Sequence, residues 1–157
     1  MATKTIAVGN QKGGVGKTTT VVNLAACLGD LGQNILVVDM DPQCNATSGL
    51  GVAIEEGKSL YRPLLGEGDV SSLIKPTNFK GVNIIPSELD LAGSEIEVAR
   101  VDEYLHCLNH ALQPVISSGG YDFVFIDCPP SLGILTMNAL TASNSVIVPM
   151  QCEYYAL

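Results

Sequence analysis

Apolar positions along this chain fall into two alternating periods. Thr5-Ile6-Ala7-Val8 is a short apolar run stopped by Gly9, which reads as a strand. Val21, Leu24, Ala25 and Leu28 then recur at spacings of three and four, predicting a helix buried along one face, with Gly29 and Gly32 ending it. Ile35-Leu36-Val37-Val38 is apolar at every position and mostly β-branched, as expected of a strand covered on both faces. The pattern weakens over 42–80, where it predicts a short helix at 59–65, a loop at 66–70 and another brief element at 71–74. Residues 81–86 read as a strand. Ser87 with Asp90 three residues on resembles a capping box that opens a helical region. The later apolar stripe of that region runs Val101, Leu105, Leu108, Leu112, and Pro114 limits it. Strands at 121–126 and 145–148 flank a helix at 131–142.

Strands alternating with helices predict an α/β fold, a mostly parallel sheet flanked by helices, with residues 1–157 forming one domain. In such sheets ligands bind beyond the carboxyl ends of the strands. Gly9, Asp39-Met40-Asp41-Pro42, Asp127-Cys128-Pro129-Pro130 and Pro149 each fall at such an end, so polar and turn residues converge on one rim.

Composition narrows the classes of function. A chain of 157 residues, 46% hydrophobic, has enough apolar content for one sizeable core. No run of about 18 uncharged apolar residues is present, so no membrane span is expected. The five cysteines are odd in number and form no Cys-x-x-Cys pair, and no export signal opens the chain. Reduced thiols and a cytoplasmic location are therefore expected. A net charge of −8 argues against nucleic-acid binding by this segment alone, since that binding rests on Lys and Arg neutralising phosphates. Two of the eight basic residues sit in a glycine-rich loop, and the others form no cluster in sequence.

That loop, Gln11-Lys12-Gly13-Gly14-Val15-Gly16-Lys17-Thr18-Thr19, carries the chemistry. The general phosphate-loop pattern is G-x-x-x-x-G-K-[ST], and Gly16, Lys17 and Thr18 supply its end. Gln11 stands where the first glycine belongs, and a second lysine, Lys12, follows it. Glycines at 13, 14 and 16 let a phosphate approach the backbone, and a helix opening at Lys17 offers free N–H groups to an anion. Lys17 is placed to contact the terminal phosphates and the Thr18 hydroxyl to ligate magnesium. Asp127 closes the apolar run Phe123-Val124-Phe125-Ile126, the context of an acidic residue that supports Mg²⁺. Of Asp39 and Asp41, one could position the attacking water while the other caps, pairs with a lysine or touches the magnesium shell; the residues alone leave that choice open.

Three stretches together, Lys12 to Thr19, Val38-Asp39-Met40-Asp41-Pro42-Gln43 and Phe125-Ile126-Asp127-Cys128-Pro129-Pro130, resemble the deviant-phosphate-loop ATPases, and most of all the ParA/Soj partitioning branch. Asn45-Ala46-Thr47, Leu89-Asp90-Leu91-Ala92-Gly93 and Gln151-Cys152-Glu153-Tyr154-Tyr155-Ala156-Leu157 are further ParA-like stretches, so the resemblance covers essentially the whole chain. It implies ATP and Mg²⁺ as cofactors and a weak, partner-stimulated Mg-ATPase. Residues 12–19 would bind the nucleotide: Lys12, Gly13, Gly14, Val15, Gly16, Lys17, Thr18 and Thr19. Lys12 matches the signature lysine that reaches the partner's ATP across a nucleotide-sandwich homodimer. Lys17 matches the phosphate-binding lysine and Thr18 the magnesium ligand. Asp41 matches the carboxylate associated with the attacking water, with magnesium contact as a further role, and Asp127 the aspartate that meets magnesium through water. The resemblance also implies a ParB-like stimulating partner, chromosome or plasmid partitioning, and non-specific DNA binding that places the ATP dimer on the nucleoid. Family members are longer, and the remaining strands, adenine contacts and basic DNA-binding residues are expected outside these residues.

The same residues also admit other readings. A shortened, non-catalytic module that binds nucleotide and modulates a full-length ATPase would keep the loop and lose turnover. Cys128 beside Asp127 invites comparison with iron proteins that share a cluster between subunits, but Pro129-Pro130 replaces their glycine-rich context, and a buried thiol is expected. His106 and His110 stand four apart among Asp102, Glu103, Asn109 and Gln113, which predicts a solvated face. Membrane cycling of the MinD kind needs a C-terminal amphipathic helix that this sequence lacks. Ser87, Ser131 and Thr47 have no His/Asp partners, so capping or turn roles are expected.

Overall fold

The computed structural model describes residues 3–152. Among them the chain builds a six-stranded sheet from β1 (Lys4–Val8), β2 (Ile35–Asp39), β3 (Lys75–Pro76), β4 (Val82–Ile85), β5 (Phe123–Asp127) and β6 (Ser145–Ile147), in the order β3-β4-β2-β5-β1-β6. Every pairing is parallel except β3 with β4. The helices are α1 (Lys17–Asp30), α2 (Asn45–Gly49), α3 (Tyr61–Leu64), α4 (Leu91–Val98), α5 (Cys107–Ser117) and α6 (Ile134–Thr141), with a 3-10 turn at Val70–Leu73.

Alternation along the strands divides the core into two layers. Val8, Ile35, Val37, Ile84 and Phe125 face α1 and α2, meeting Val21, Ala25, Ala46 and Leu50. Ala7, Leu36, Val38, Ile85, Val124 and Ile126 face the other way, onto Leu91, Val98, Leu108, Leu112, Leu135 and Ala139 of α4, α5 and α6. The central β2 is buried at every residue, as its unbroken apolar run predicts.

The structure corrects several sequence expectations. Gly29 does not end α1, which runs on to Asp30; the helix turns off at Gly32, whose φ of 87° favours glycine. Gly29 is instead where α1 touches the turn before β4: a Cβ there would lie 2.1 Å from the Lys80 carbonyl oxygen. Ser87 opens no helix, since α4 begins at Leu91 with no side-chain cap and the buried Ser87 hydroxyl has no hydrogen-bond partner. The apolar stripe from Val101 to Leu112 is not one helix. Val101 and Leu105 lie in turns, and Glu103 adopts a φ of 56°. The break is supported from α6: Asn138, fully buried, accepts from the Leu108 amide (3.0 Å) and donates to the Tyr104 carbonyl (2.8 Å). Pro114 sits inside α5 rather than limiting it. Helix α2 and the short antiparallel β3 had no sequence signal of their own.

Candidate functional site

Parallel pairing puts the carboxyl ends of β1, β2 and β5 side by side, with Val8 opposite Asp127 and Asp127 opposite Asp39. The glycine-rich loop leaves β1 at this rim and enters α1 at Lys17. Gly14 and Gly16 take φ values of 74° and 94°, closed to most side chains, and nothing lies within 4 Å of where a Cβ at Gly13, Gly14 or Gly16 would stand. The loop is therefore an open cradle with the N-terminus of a 14-residue helix at its base. Asn10 braces it on two sides, accepting from the Lys12 amide (2.9 Å) and donating to the Pro149 carbonyl (2.9 Å). A cleft of about 340 Å³ opens here, lined by Gly13, Gly16, Lys17, Thr18, Asp41 and Gln43 among others.

Lys17 is only 7% exposed, and its ammonium donates to the Lys12 carbonyl at 3.1 Å. The Thr18 hydroxyl donates to Asp127 Oδ2 at 2.7 Å. Asp127 is fully buried, and its other oxygen has no hydrogen-bond partner. Burial pushes its carboxyl up to about 7 against the Thr18 hydrogen bond, with Asp39 and Asp41 raising it further. A buried ammonium, a hydroxyl, a carboxylate with an unused oxygen and an open backbone cradle form a donor set that fits a polyphosphate with a divalent cation.

The two aspartates at the carboxyl end of β2 separate cleanly. Asp39 turns into the protein, with no exposure: Oδ1 accepts from the Asp41 amide (3.1 Å), and Oδ2 from the Thr47 amide (2.8 Å) and hydroxyl (2.7 Å). Burial raises its carboxyl to about 6. Asp41 lines the cleft, one oxygen accepting from the Gln43 amide at 2.9 Å.

A family model described as an AAA domain matches residues 3–157. The chain is 52% identical over 155 residues to the sporulation initiation inhibitor protein Soj of Bacillus subtilis, a match covering 98% of this chain and 60% of that protein. The chain belongs to the ParA/Soj family. It spans about 60% of the length of the curated relatives it matches. In three dimensions it is similar to a plasmid partition protein from Borrelia burgdorferi solved with AMPPNP, at 30% identity and a TM-score of 0.86, covering 99% of this chain and 66% of that one. It is also similar to a Mycobacterium smegmatis structure described as cobyrinic acid a,c-diamide synthase with a bound ATP analogue and magnesium. That likeness has 43% identity and a TM-score of 0.92, over 99% of this chain and 63% of that one.

Within this ParA/Soj-family fold, Lys12 stands apart from the cleft-facing residues. Its side chain is exposed, and no acceptor meets its ammonium among the described residues. Val15 is buried, while Thr19 is exposed at the cleft. Cys128 is buried behind Gly9, and burial together with the Asp127 charge pushes its thiol up to about 12, an unreactive side chain. His106 and His110 are both exposed, with stacked rings 6.2 Å apart. Ser131 lends its carbonyl to the Thr136 hydroxyl (2.7 Å). Thr47 is not a cap or turn residue: it lies buried within α2, holding Asp39. Of the last ParA-like stretch, residues 153–157 lie outside the described residues; Gln151 donates to the Gly14 carbonyl at 3.3 Å. The contacts of Asn10 and Thr47 gave no sequence signal: Asn10 carries no motif, and Thr47, though in a ParA-like stretch, suggested only capping or a turn.

Proposed function

We propose that residues 1–157 form the nucleotide-binding domain of an ATP-dependent dimerisation switch that hydrolyses ATP with Mg²⁺ and serves chromosome or plasmid partitioning. The observation that carries this reading is the cradle at Gly13–Thr18, where a buried ammonium and a hydroxyl tied to a buried carboxylate meet a helix N-terminus.

Lys17 exchanges the Lys12 carbonyl for a phosphate oxygen, holding the nucleotide's terminal phosphates. The helix N–H groups and the glycine backbone take the remaining charge. Magnesium, when bound, neutralises charge on the phosphate oxygens; Thr18 would hold it directly and Asp127 through water, using the oxygen that lacks a partner. Asp41, which lines the cleft together with the loop, would orient the attacking water, with the magnesium shell as a further role. Lys12, pointing to solvent, is the residue to meet a second subunit's nucleotide. Two triphosphates at one interface repel unless each subunit lends a cation, so nucleotide makes the dimer and hydrolysis dissolves it. A ParB-like activator, and DNA binding that places the ATP dimer on the nucleoid of a cytoplasmic protein, belong to the same reading for the longer family form. No helix among the described residues is long and apolar enough to cross a membrane.

Titration with a fluorescent ATP analogue in Mg²⁺, alongside phosphate release, tests the site. Lys17→Ala should weaken binding by roughly 100-fold, the loss of about 3 kcal/mol expected when one member of a buried charge pair is removed. Unchanged affinity in that variant would refute the site. Binding with no phosphate release in the wild type would favour a non-catalytic nucleotide-binding module.

A further inference from the structure

Asp39 is a fully buried carboxylate that does not line the nucleotide cleft, and no cation pairs with it among the described residues. Burying a charge in this way costs free energy unless hydrogen bonds replace the lost water. Three donors do so, and all come from two places: the Asp41 amide, and the amide and hydroxyl of Thr47. The carboxylate therefore ties the peptide that carries Asp41 to the middle of α2.

The Thr47 hydroxyl is fixed from both sides. Its one proton goes to Asp39, which leaves its lone pairs to accept, and the Ser87 amide donates to it at 3.0 Å. Ser87 is itself on anchored chain. The neighbouring Glu88, also buried, accepts from the Gly57 amide (2.7 Å) and the Ser59 hydroxyl (2.5 Å). Thus a single hydroxyl joins three segments: the end of β2, helix α2, and the chain that follows β4. The segment it steadies contains Asp41, Gln43 and Asn45, three of the cleft's lining residues.

We propose that Asp39 and Thr47 are positioning residues that hold Asp41 at its working place by clamping the end of β2 to α2 and to the backbone at Ser87. The proposal rests on the nucleotide reading above, in which Asp41 orients water. It places the effect on turnover and not on affinity, because the phosphate contacts come from the loop at 13–18, on a different strand end. A general loosening of the fold would disturb both.

The test uses wild type, Thr47→Val and Thr47→Ser. Valine keeps the β-branched shape and removes the hydroxyl, while serine restores the hydroxyl without the methyl. Three quantities are read: dissociation constant for a fluorescent ATP analogue in Mg²⁺, rate of phosphate release, and amide hydrogen exchange over 39–47 and 86–88 in the nucleotide-free protein. Thr47→Val should slow phosphate release tenfold or more with affinity within about twofold of wild type, and Thr47→Ser should recover most of the rate. Exchange should quicken in both segments of Thr47→Val and stay near wild type in Thr47→Ser. Valine turning over like wild type, serine failing alongside valine, or affinity falling in step with rate would each overturn the clamp. If the wild type binds nucleotide but releases no phosphate, the functional reading loses hydrolysis, and exchange decides the clamp. Faster exchange at 86–88 alone, with 39–47 unchanged, overturns it; faster exchange in both supports it.

Discussion

At the scale of single residues, the site is defined by which polar groups the fold buries. Asp127 is held without exposure beside Thr18, and its carboxyl sits near 7 because water has been removed from around it. In the unfolded chain the same group titrates near its ordinary 3.8. The folded state therefore binds a proton that the unfolded state has already released between these values, and the ionised group costs stability as pH rises through them. Asp127→Asn can still accept the Thr18 hydrogen bond but cannot ionise. In the nucleotide-free protein it should match wild type near pH 4 and become progressively more stable than wild type up to about pH 7, levelling off above. Urea unfolding of the two proteins across that range is the measurement, and a constant difference would contradict the assignment. Lys17 and Thr18 were legible in the sequence because the phosphate loop joins residue identity to fixed spacing. Asp39 and Asp41 were legible from the strand end only as a pair, and the family resemblance singled out Asp41; that Asp39 turns inward depends on the position of α2.

At the scale of elements, the close crossing of α1 against the turn before β4 shows how backbone contact selects a residue. A Cβ at Gly29 would meet the Lys80 carbonyl at 2.1 Å and the Val82 side chain at 3.0 Å. The carbonyl is main chain on a turn anchored by the Gly81 carbonyl to the Ile35 amide (2.8 Å), so it cannot simply swing away. Gly29→Ala should therefore destabilise the fold by about 1–3 kcal/mol even though alanine is the better helix former. A lowered urea midpoint with an unchanged slope would show it, and a more stable variant would mean that α1 stands further from β4 than described. Read as sequence, Gly29 was a helix stop, because glycine's usual helical role is to end one. The Val101-to-Leu112 stripe misled for a related reason. Its spacing suits a helix, yet Asn138 from α6 satisfies the backbone at Leu108 and Tyr104, and a long-range partner leaves no local trace.

At the scale of the whole molecule, the sheet gathers its candidate site at one rim, and among the described residues no strand pairs with the outer side of β6. Val146 and Val148 are about half exposed, and Leu132 ahead of α6 is 63% exposed. The chain covers about 60% of its curated relatives, so the switch as a whole is a property to be tested on assembly. With Mg-ATP in sedimentation, Asp41→Ala should persist as a dimer because it loads nucleotide and fails to consume it. Lys12→Ala should remain monomeric while still binding nucleotide, since the role proposed for its ammonium is at the neighbouring subunit's nucleotide. Behaviour independent of nucleotide in wild type and both variants would remove the sandwich from the mechanism.

The division between sequence and structure follows the range of the interactions. Periodicity and the loop's spacing are local, and they were enough for the α/β class, the mostly parallel strands and the glycine-rich loop that enters α1 at Lys17 and Thr18; the ParA/Soj resemblance came from short local motifs, and the family match agrees with it. The inward turn of Asp39, the three-way role of the Thr47 hydroxyl and the brace at Asn10 depend on chain segments 8 to 139 residues apart. Such contacts are chosen by how layers pack, so they exist only once the sheet and its helices are in place.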